Sequence, residues 1–282
     1  MNEIRIIAEC GINANGQVGL AKQLIQMAKD AGAYAVKFQK RDIETVYAGQ
    51  LEKPRNDGNP FGWETVGQQK QGLEFTYEEY KEIDAFCRYL RIPWFYSAWD
   101  PFSAVEMFSL FDCPYNKIAS AMVTNHEILG ILAEQKKYTF ISTGGCTMDD
   151  IDMAVAIFQQ QKTPICLMHC VSKYPCPDRD LNLNMLHTLR KAYPMVDIGY
   201  SGHEVGIYPS VMAMAMGATW IERHITLNRS MYGSDQSASM EYHGLEQLCK
   251  VANDATAIFG DGKKRILSGE AECMKKLRYW ES

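Results

Sequence analysis

Three features predict an α/β protein folded as a (β/α)8 barrel of the TIM type: eight short runs rich in β-branched and aromatic residues, helical periodicity between them, and a length of 282 residues. Parallel strands joined by crossover helices produce this alternation, and eight such units in a chain of this size favour a closed barrel over an open doubly wound sheet. The runs are IRIIAE at 4–9, YAVKFQ at 34–39, WFYSA at 94–98, YNKIA at 115–119, YTFIS at 138–142, ICLMHC at 165–170, VDIGYS at 196–201 and TWIERH at 219–224. Helical stretches begin near Gly19, Tyr77, Phe102, Thr124, Met148, Leu181 and Gly206, and a last one spans 242–259.

One connection breaks the rhythm. Residues 40–76 are rich in Gly, Pro, Asn and Gln (KPRNDGNPFGW, then GQQKQG) and far exceed an ordinary strand-to-helix loop. On a barrel this segment lies on the catalytic face and is expected to cover the site. The barrel is expected to occupy 1–260, with 261–282 as a charged tail of weak helical character and no second domain.

Composition narrows the function. With 46% hydrophobic and 22% charged residues the chain can bury a sizeable core. The formal charge of −5 is scattered, so there is no basic stripe for nucleic acid. The longest uncharged stretch, 205–221, carries Pro209, Ser210 and two glycines and fails as a membrane span. The opening MNEIRIIAE places acids where a secretory signal would be basic, which points to a cytoplasmic protein. Nine cysteines with no CxxC pair are read as reduced thiols, neither a zinc framework nor a disulfide scaffold.

In such a barrel the carboxyl ends of the strands carry the chemistry. Here they offer Glu9; Lys37 and Gln39; Lys117 and Ser120; Ser142 and Thr143; His169, Ser172 and Tyr174; Ser201 and His203; and His224. His203 and His224 end adjacent strands seven and eight, close enough to share one divalent ion. Two protein ligands with oxygen partners suit an exchangeable Mn2+ or Mg2+ acting as Lewis acid, not structural zinc. Asp235, in MYGSDQ, is either a further group over this site or a solvated turn acid. Lys37 and Lys117 lie in apolar strands and need anionic partners. Those partners are either a buried acid such as Glu9 or the phosphate and carboxylate of one small anion, with Ser120, Ser142, Ser172 and Ser201 adding hydroxyl donors. Glu9 lies beside strand eight on barrel closure and is a candidate general base. Asn13 and Asn15 are read as turn residues, and Cys170 and Cys176 as packing.

The strings IAECGINANG, VKFQK, KIAS, ISTG, HCVSKYPCP, GYSGHEVG with IERHITL, and GSDQSASME run in order from Ile6 to Glu241 and resemble those of the sialic acid synthase family. The resemblance implies a (β/α)8 barrel that condenses phosphoenolpyruvate with an N-acetylated aldose, releases phosphate, uses a divalent cation and commonly pairs as a homodimer. It implies that His203 and His224 hold the metal. Lys37, Lys117, Ser120, Ser142, Ser172 and Ser201 would bind phosphoenolpyruvate, and Glu9, Gln39, Tyr174 and Asp235 the acceptor sugar, with Glu9 as acid/base. Carbon 3 of the enol would attack the aldehyde, carbon 2 would take water, and the tetrahedral intermediate would expel phosphate.

Departures concentrate in the acceptor half. Ala14 replaces the histidine of INHNG, Ala98 the threonine of STPF, and Met122 a sugar-contacting carboxylate; Ser172 stands where asparagine is frequent and Gly202 where aspartate is common. Family members commonly continue past GDGxK into an antifreeze-like domain that lends an arginine to the partner's site, whereas this chain stops about twenty residues after GDGKKR. The acceptor is therefore expected to differ from N-acetylmannosamine or to be read by the 40–76 loop. The competing enzymes are an octulosonate or heptulosonate synthase taking a shorter phosphorylated aldose, for which Arg41, Lys53 and Arg55 are candidate contacts, and a Schiff-base pyruvate lyase, disfavoured because strand six ends in histidine. A sugar-binding barrel that has lost catalysis is opposed by the costly buried charges it would retain.

Overall fold

The computed structural model describes residues 3–55 and 58–281. Positions 56 and 57 of the long loop and the terminal positions 1, 2 and 282 lie outside it. Eight parallel strands close into one barrel in sequence order. They are β1 (Arg5–Glu9), β2 (Ala35–Lys40), β3 (Trp94–Ala98), β4 (Tyr115–Ile118), β5 (Tyr138–Ser142), β6 (Ile165–His169), β7 (Asp197–Gly202) and β8 (Trp220–His224). Each matches its expected run to within a residue at either end. Closure pairs β1 with β8 in the register Glu9 to His224, which sets these two side chains on neighbouring strand ends.

The first helix is α1 (Val18–Asp30), and the long loop that follows β2 contains α2 (Ile43–Val46) and α3 (Val66–Leu73). The outer layer continues with α4 (Tyr77–Leu90), α5 (Pro101–Leu110), α6 (His126–Glu134), α7 (Met148–Gln160), α8 (Met185–Ala192), α9 (Tyr208–Ala215) and α10 (Tyr242–Phe259). Beyond the barrel lies α11 (Ser268–Leu277), a regular helix where only weak helical character was expected. Caps explain several starts: Thr76 with Glu79 and Thr147 with Asp150 form capping boxes, and Asp100 precedes Pro101 at the first helical position. The helix expected from Leu181 begins only at Met185, because a 3-10 turn over Asp178–Asp180 and a left-handed Asn182 intervene. Among the described residues no helix is long and apolar enough to cross a membrane.

Period-two alternation sorts the strand residues onto two faces. Inward residues near the amino ends build an aromatic floor: Phe140 meets Trp220 at 4.8 Å, and Phe95 meets both Tyr115 and Phe140 at 5.5 Å between ring centroids. Lys117 and Glu222, two residues further along β4 and β8, stand above that floor, joined at the same level by Glu9 of β1, Lys37 of β2 and Ser201 of β7. The charged layer therefore rests on a packed hydrophobic base.

The 40–76 segment is fastened to the loop that follows β8. Trp63 stacks on Phe61 at 4.4 Å, and Tyr232 of the loop after β8 packs against both rings. Arg55 donates to Gln69 and to the Tyr232 hydroxyl. A Cβ on Gly72 would lie 2.6 Å from the Trp63 indole, and one on Gly16, whose φ is +68°, would lie 2.0 Å from the Gly72 carbonyl oxygen. Gly16→Ala is accordingly expected to cost at least about 2 kcal/mol and to release the loop. Denaturant unfolding would read the first effect, and faster proteolytic nicking within 40–76 the second.

Candidate active site

The carboxyl ends of the strands enclose a cavity of about 200 Å3. Its wall contains Lys37 and Gln39 from β2, Lys117 and Ser120 at β4, and Ser142 from β5. Ser172 and Tyr174 after β6, Ser201 and His203 at β7, and His224 from β8 complete the expected part of it. Thus ten residues expected from sequence converge on one space.

Glu9 and Asp235 stand just outside it. Glu9 is fully buried, forms an ion pair with Lys37 and accepts a hydrogen bond from Gln39 at 3.2 Å. Asp235 Oδ2 is 3.8 Å from His224 Nδ1, beyond hydrogen-bond distance, while its other oxygen accepts from Ser234. Two other residues placed at strand ends turn away. His169 is bonded through Nε2 to the Leu181 carbonyl, and Thr143 donates to the Met168 carbonyl. Of the positions expected to alter acceptor binding, Met122 packs against the hydrophobic core and Ala14 is fully buried.

Glu222 is the main group that sequence inspection missed. It lies two residues before His224, hence on the same inward face, and its Oε1 accepts from Lys117 at 2.8 Å and Ser201 at 3.0 Å. Lys37 approaches the same oxygen at 3.9 Å. Both readings of the lysines therefore meet here: their partners in the protein are Glu9 and Glu222, yet both still line the cavity. Burial opposes the charge on Glu222, but the neighbouring Lys117 and Lys37 outweigh it and hold the carboxyl down at about 2. Burial pulls the Lys117 ammonium below its usual range, and for Lys37 the same penalty is overcome by Glu222 and Glu9, which raise it.

At the ends of β4, β5 and β6 the hydroxyls are packed around a bare backbone. A Cβ on Gly144 would lie 2.4 Å from Ser172 Oγ and 2.9 Å from Ser120 Oγ, so only glycine lets the two converge. Ser120 accepts from the Gly144 N–H at 3.0 Å and meets the Cys170 thiol at 3.2 Å, while Ser142 Oγ is buried with no hydrogen-bond partner among the described residues. A buried unpaired hydroxyl facing a cavity is a donor waiting for a ligand.

The two imidazoles lie 5.6 Å apart between ring centroids, and Tyr174 packs at a tilt against His203 at 4.2 Å. His203 Nδ1 lies 2.9 Å from the Val171 carbonyl, which can only accept, so Nδ1 carries the proton and Nε2 keeps its lone pair. Burial, reinforced by neighbouring His224, lowers the His203 pKa to about 3. His224 Nδ1 is buried and has no hydrogen-bond partner among the described residues. A neutral imidazole and an orphaned ring nitrogen fit a divalent cation. Among the described residues no group of three or more His, Cys, Asp or Glu is arranged to hold one, so substrate and water oxygens would complete the coordination.

A (β/α)8 barrel whose mouth gathers two ammonium groups, several hydroxyls and two imidazoles in one pocket is an enzyme of small, anionic substrates. Comparison with known proteins narrows that class. The family described as the NeuB family matches residues 24–264. The N-acetylneuraminate-9-phosphate synthase of Mus musculus is 36% identical, over 96% of this chain and 76% of its own. The N,N'-diacetyllegionaminic acid synthase of Campylobacter jejuni is 32% identical, over 99% of this chain and 84% of its own. The crystal structure of N-acetylneuraminic acid (sialic acid) synthetase from Leptospira borgpetersenii serovar Hardjo-bovis, in complex with citrate, superposes with a TM-score of 0.86 at 29% identity, covering 99% of this chain and 93% of that one. The chain belongs to the NeuB family, an enzyme family whose named relatives make sialic and related nonulosonic acids. The resemblance read from its motifs is borne out.

Two expectations follow from the site. The native His203 imidazole takes up its proton only near pH 3, the unfolded one near 6.5, so the unfolded state binds more protons between these values and stability falls as pH is lowered through that window. The loss is on the order of 5 kcal/mol, joined below pH 4.5 by that of Glu222 as its native carboxyl protonates towards pH 2. Denaturant midpoints against pH should show this decline, and His203→Gln should flatten its upper part, leaving the smaller share owed to buried His169. Separately, Glu222→Gln leaves Lys117 without its anionic partner and should lower unfolding stability by about 3 kcal/mol.

Proposed function

We propose that this enzyme condenses phosphoenolpyruvate with an N-acylated amino aldose to give a 2-keto-3-deoxy nonulosonic acid and inorganic phosphate, with Mn2+ or Mg2+ bound at His203 and His224. The observation that carries the reading is the convergence of Lys37, Lys117, Ser120, Ser142, Ser172 and Ser201 with both imidazoles on one cavity. The bound ion would supply Lewis-acid polarisation of the acceptor's aldehyde oxygen.

The chain's own residues do the rest. Lys37 and Lys117 hold the anionic ends of phosphoenolpyruvate, and the seryl hydroxyls orient them, so that carbon 3 faces the aldehyde across the pocket. Water adding to carbon 2 must lose a proton. Among the described residues the buried Glu222 Oε2 has no hydrogen-bond partner, and this carboxylate lines the cavity whereas Glu9 stands outside it, so Glu222 is the proton acceptor nearer the reacting atoms. Lys117, hydrogen-bonded to Glu222, returns a proton towards the departing phosphate. Gln39 and Tyr174 shape the acceptor side, with Asp235 beside His224. The barrel would carry this chemistry within 1–260, and pairing into a homodimer is part of the proposal.

A second reading of the acceptor is favoured by the 40–76 loop. Lys70 there is half-buried, with its Nζ 5.0 Å from the Tyr47 ring, and burial together with the charges of Arg41 and Arg55 pulls its pKa down. Arg41 and Arg55 were expected contacts for a phosphorylated sugar. The third expected cation, Lys53, is exposed, whereas Lys70 is partly buried and shares the electrostatic surroundings of Arg41, Arg55 and Asp235. These cations suit an amino sugar phosphorylated at its far end.

Mass spectrometry of products from phosphoenolpyruvate with free and 6-phosphorylated N-acetylhexosamines, alongside phosphate release, tests both readings. A nine-carbon keto acid with stoichiometric phosphate is expected. An eight-carbon product, or pyruvate without condensation, would overturn the reading. Lys70→Met raising KM about tenfold for phosphorylated acceptors alone would favour the second acceptor.

A further inference from the structure

Trp99 is a cavity residue for which neither the sequence nor the mechanism above has a use. It follows β3 at the inward parity of Phe95 and Ser97 and lines the cavity. Its indole Nε1 is buried and finds no acceptor among the described residues. Leaving such a donor unpaired is costly unless a ligand satisfies it. Ser97, the other polar inward residue on this strand, already directs its hydroxyl to the Phe38 carbonyl at 3.5 Å. Trp99 is therefore the free donor that β3 brings to the site.

The ring is held from behind. The Arg41 guanidinium lies 4.6 Å from its centroid, and Arg41 is itself fixed by Glu74, through Nη1 at 2.9 Å and the backbone N–H at 3.1 Å. A cation against the face of an indole draws electron density from it and makes the N–H a stronger donor, suited to an anionic acceptor. Position selects the ligand. β3 pairs with β2 and β4, the strands that carry Lys37 and Lys117, whereas the histidines lie on β7 and β8 across the barrel.

We infer that Trp99 is a substrate-binding residue whose indole N–H, backed by Arg41, donates to an anionic oxygen of the enolpyruvyl substrate, so that it sets affinity for that substrate and not for the acceptor. The inference rests on the proposed reaction.

Calorimetry of phosphoenolpyruvate binding with Mg2+ present and acceptor absent, on wild type and Trp99→Phe, tests it together with steady-state kinetics. The expected result is about tenfold weaker binding, a matching rise in KM for phosphoenolpyruvate, and acceptor KM within twofold. Indole 15N–1H spectra of the Mg2+ enzyme, with Trp99 assigned by its absence in Trp99→Phe or, should that variant not fold, Trp99→Tyr, should show its N–H moving downfield on adding phosphoenolpyruvate. Unchanged affinity with an unmoved resonance overturns the inference, as does a rise confined to acceptor KM, while wild-type binding of phosphoenolpyruvate would leave the site reading standing. A wild-type protein that fails to bind phosphoenolpyruvate overturns both.

Discussion

Four buried charges inside the barrel, Glu9, Lys37, Lys117 and Glu222, are the constraint on which the site is built. Each would be expensive alone, since desolvating an unpaired ion costs several kcal/mol, and together they are tolerable only as an interlocked set. Glu9 meets Lys37, and Glu222 reaches both lysines, so charge links β1, β2, β4 and β8 across the lumen. The same network that locks the strand ends keeps two ammonium groups at the cavity wall. Because they are fixed before substrate arrives, little reorganisation is needed when negative charge enters. The network is also balanced, with two positive and two negative groups beside a neutral His203. An incoming anion must therefore share the lysines with Glu222 and draw further attraction from hydroxyls, the indole or a cation.

The aromatic floor makes this arrangement possible. Phe95, Tyr115, Phe140 and Trp220 fill the barrel below the charges and exclude water from beneath them, which lowers the local dielectric and strengthens each pairing. Floor and charged layer are written into the same strands two residues apart, as in Trp220, Glu222 and His224. Outward residues of those strands serve the other layer. Arg223, between Glu222 and His224, is buried against Glu204, Ser210 and the Gly206 carbonyl, and so ties the strand carrying one histidine to the turn that follows the other.

This periodicity explains how much could be read from the residues. The strands were legible because β-branched runs recur at barrel spacing, and Lys37 and Lys117 because a charge within an apolar strand demands a partner. Glu222 was missed because only the last positions of each strand were inspected; alternation through WIERH would have placed it beside His224. Ser97 and Trp99 were overlooked although they flank the end of β3, because only Ala98 between them drew a reading. The loop contacts carried no such signal. Trp63, Gly72 and Gly16 meet through backbone shape and packing between segments distant in sequence, and α2 and α3 are too short to stand out from a Gly- and Gln-rich stretch.

The strand order divides the mouth into two halves. Lysines and Trp99 occupy the β2–β4 side, and the imidazoles and Tyr174 occupy the β6–β8 side, with Glu222 reaching between them from β8 to Lys117. A condensation needs a nucleophilic carbon and an electrophilic one held a few ångströms apart, and fixing two partners on opposing walls converts a bimolecular encounter into an oriented one. Closure of the sheet does this without any moving part, because β1 and β8 can pair only by bringing the first strand's Glu9 and the last strand's His224 together. Arg41 braces the lysine-bearing wall from behind: its guanidinium stacks on Trp99 and also hydrogen-bonds Gln39, which in turn donates to Glu9, so one buried cation connects the ends of β1, β2 and β3.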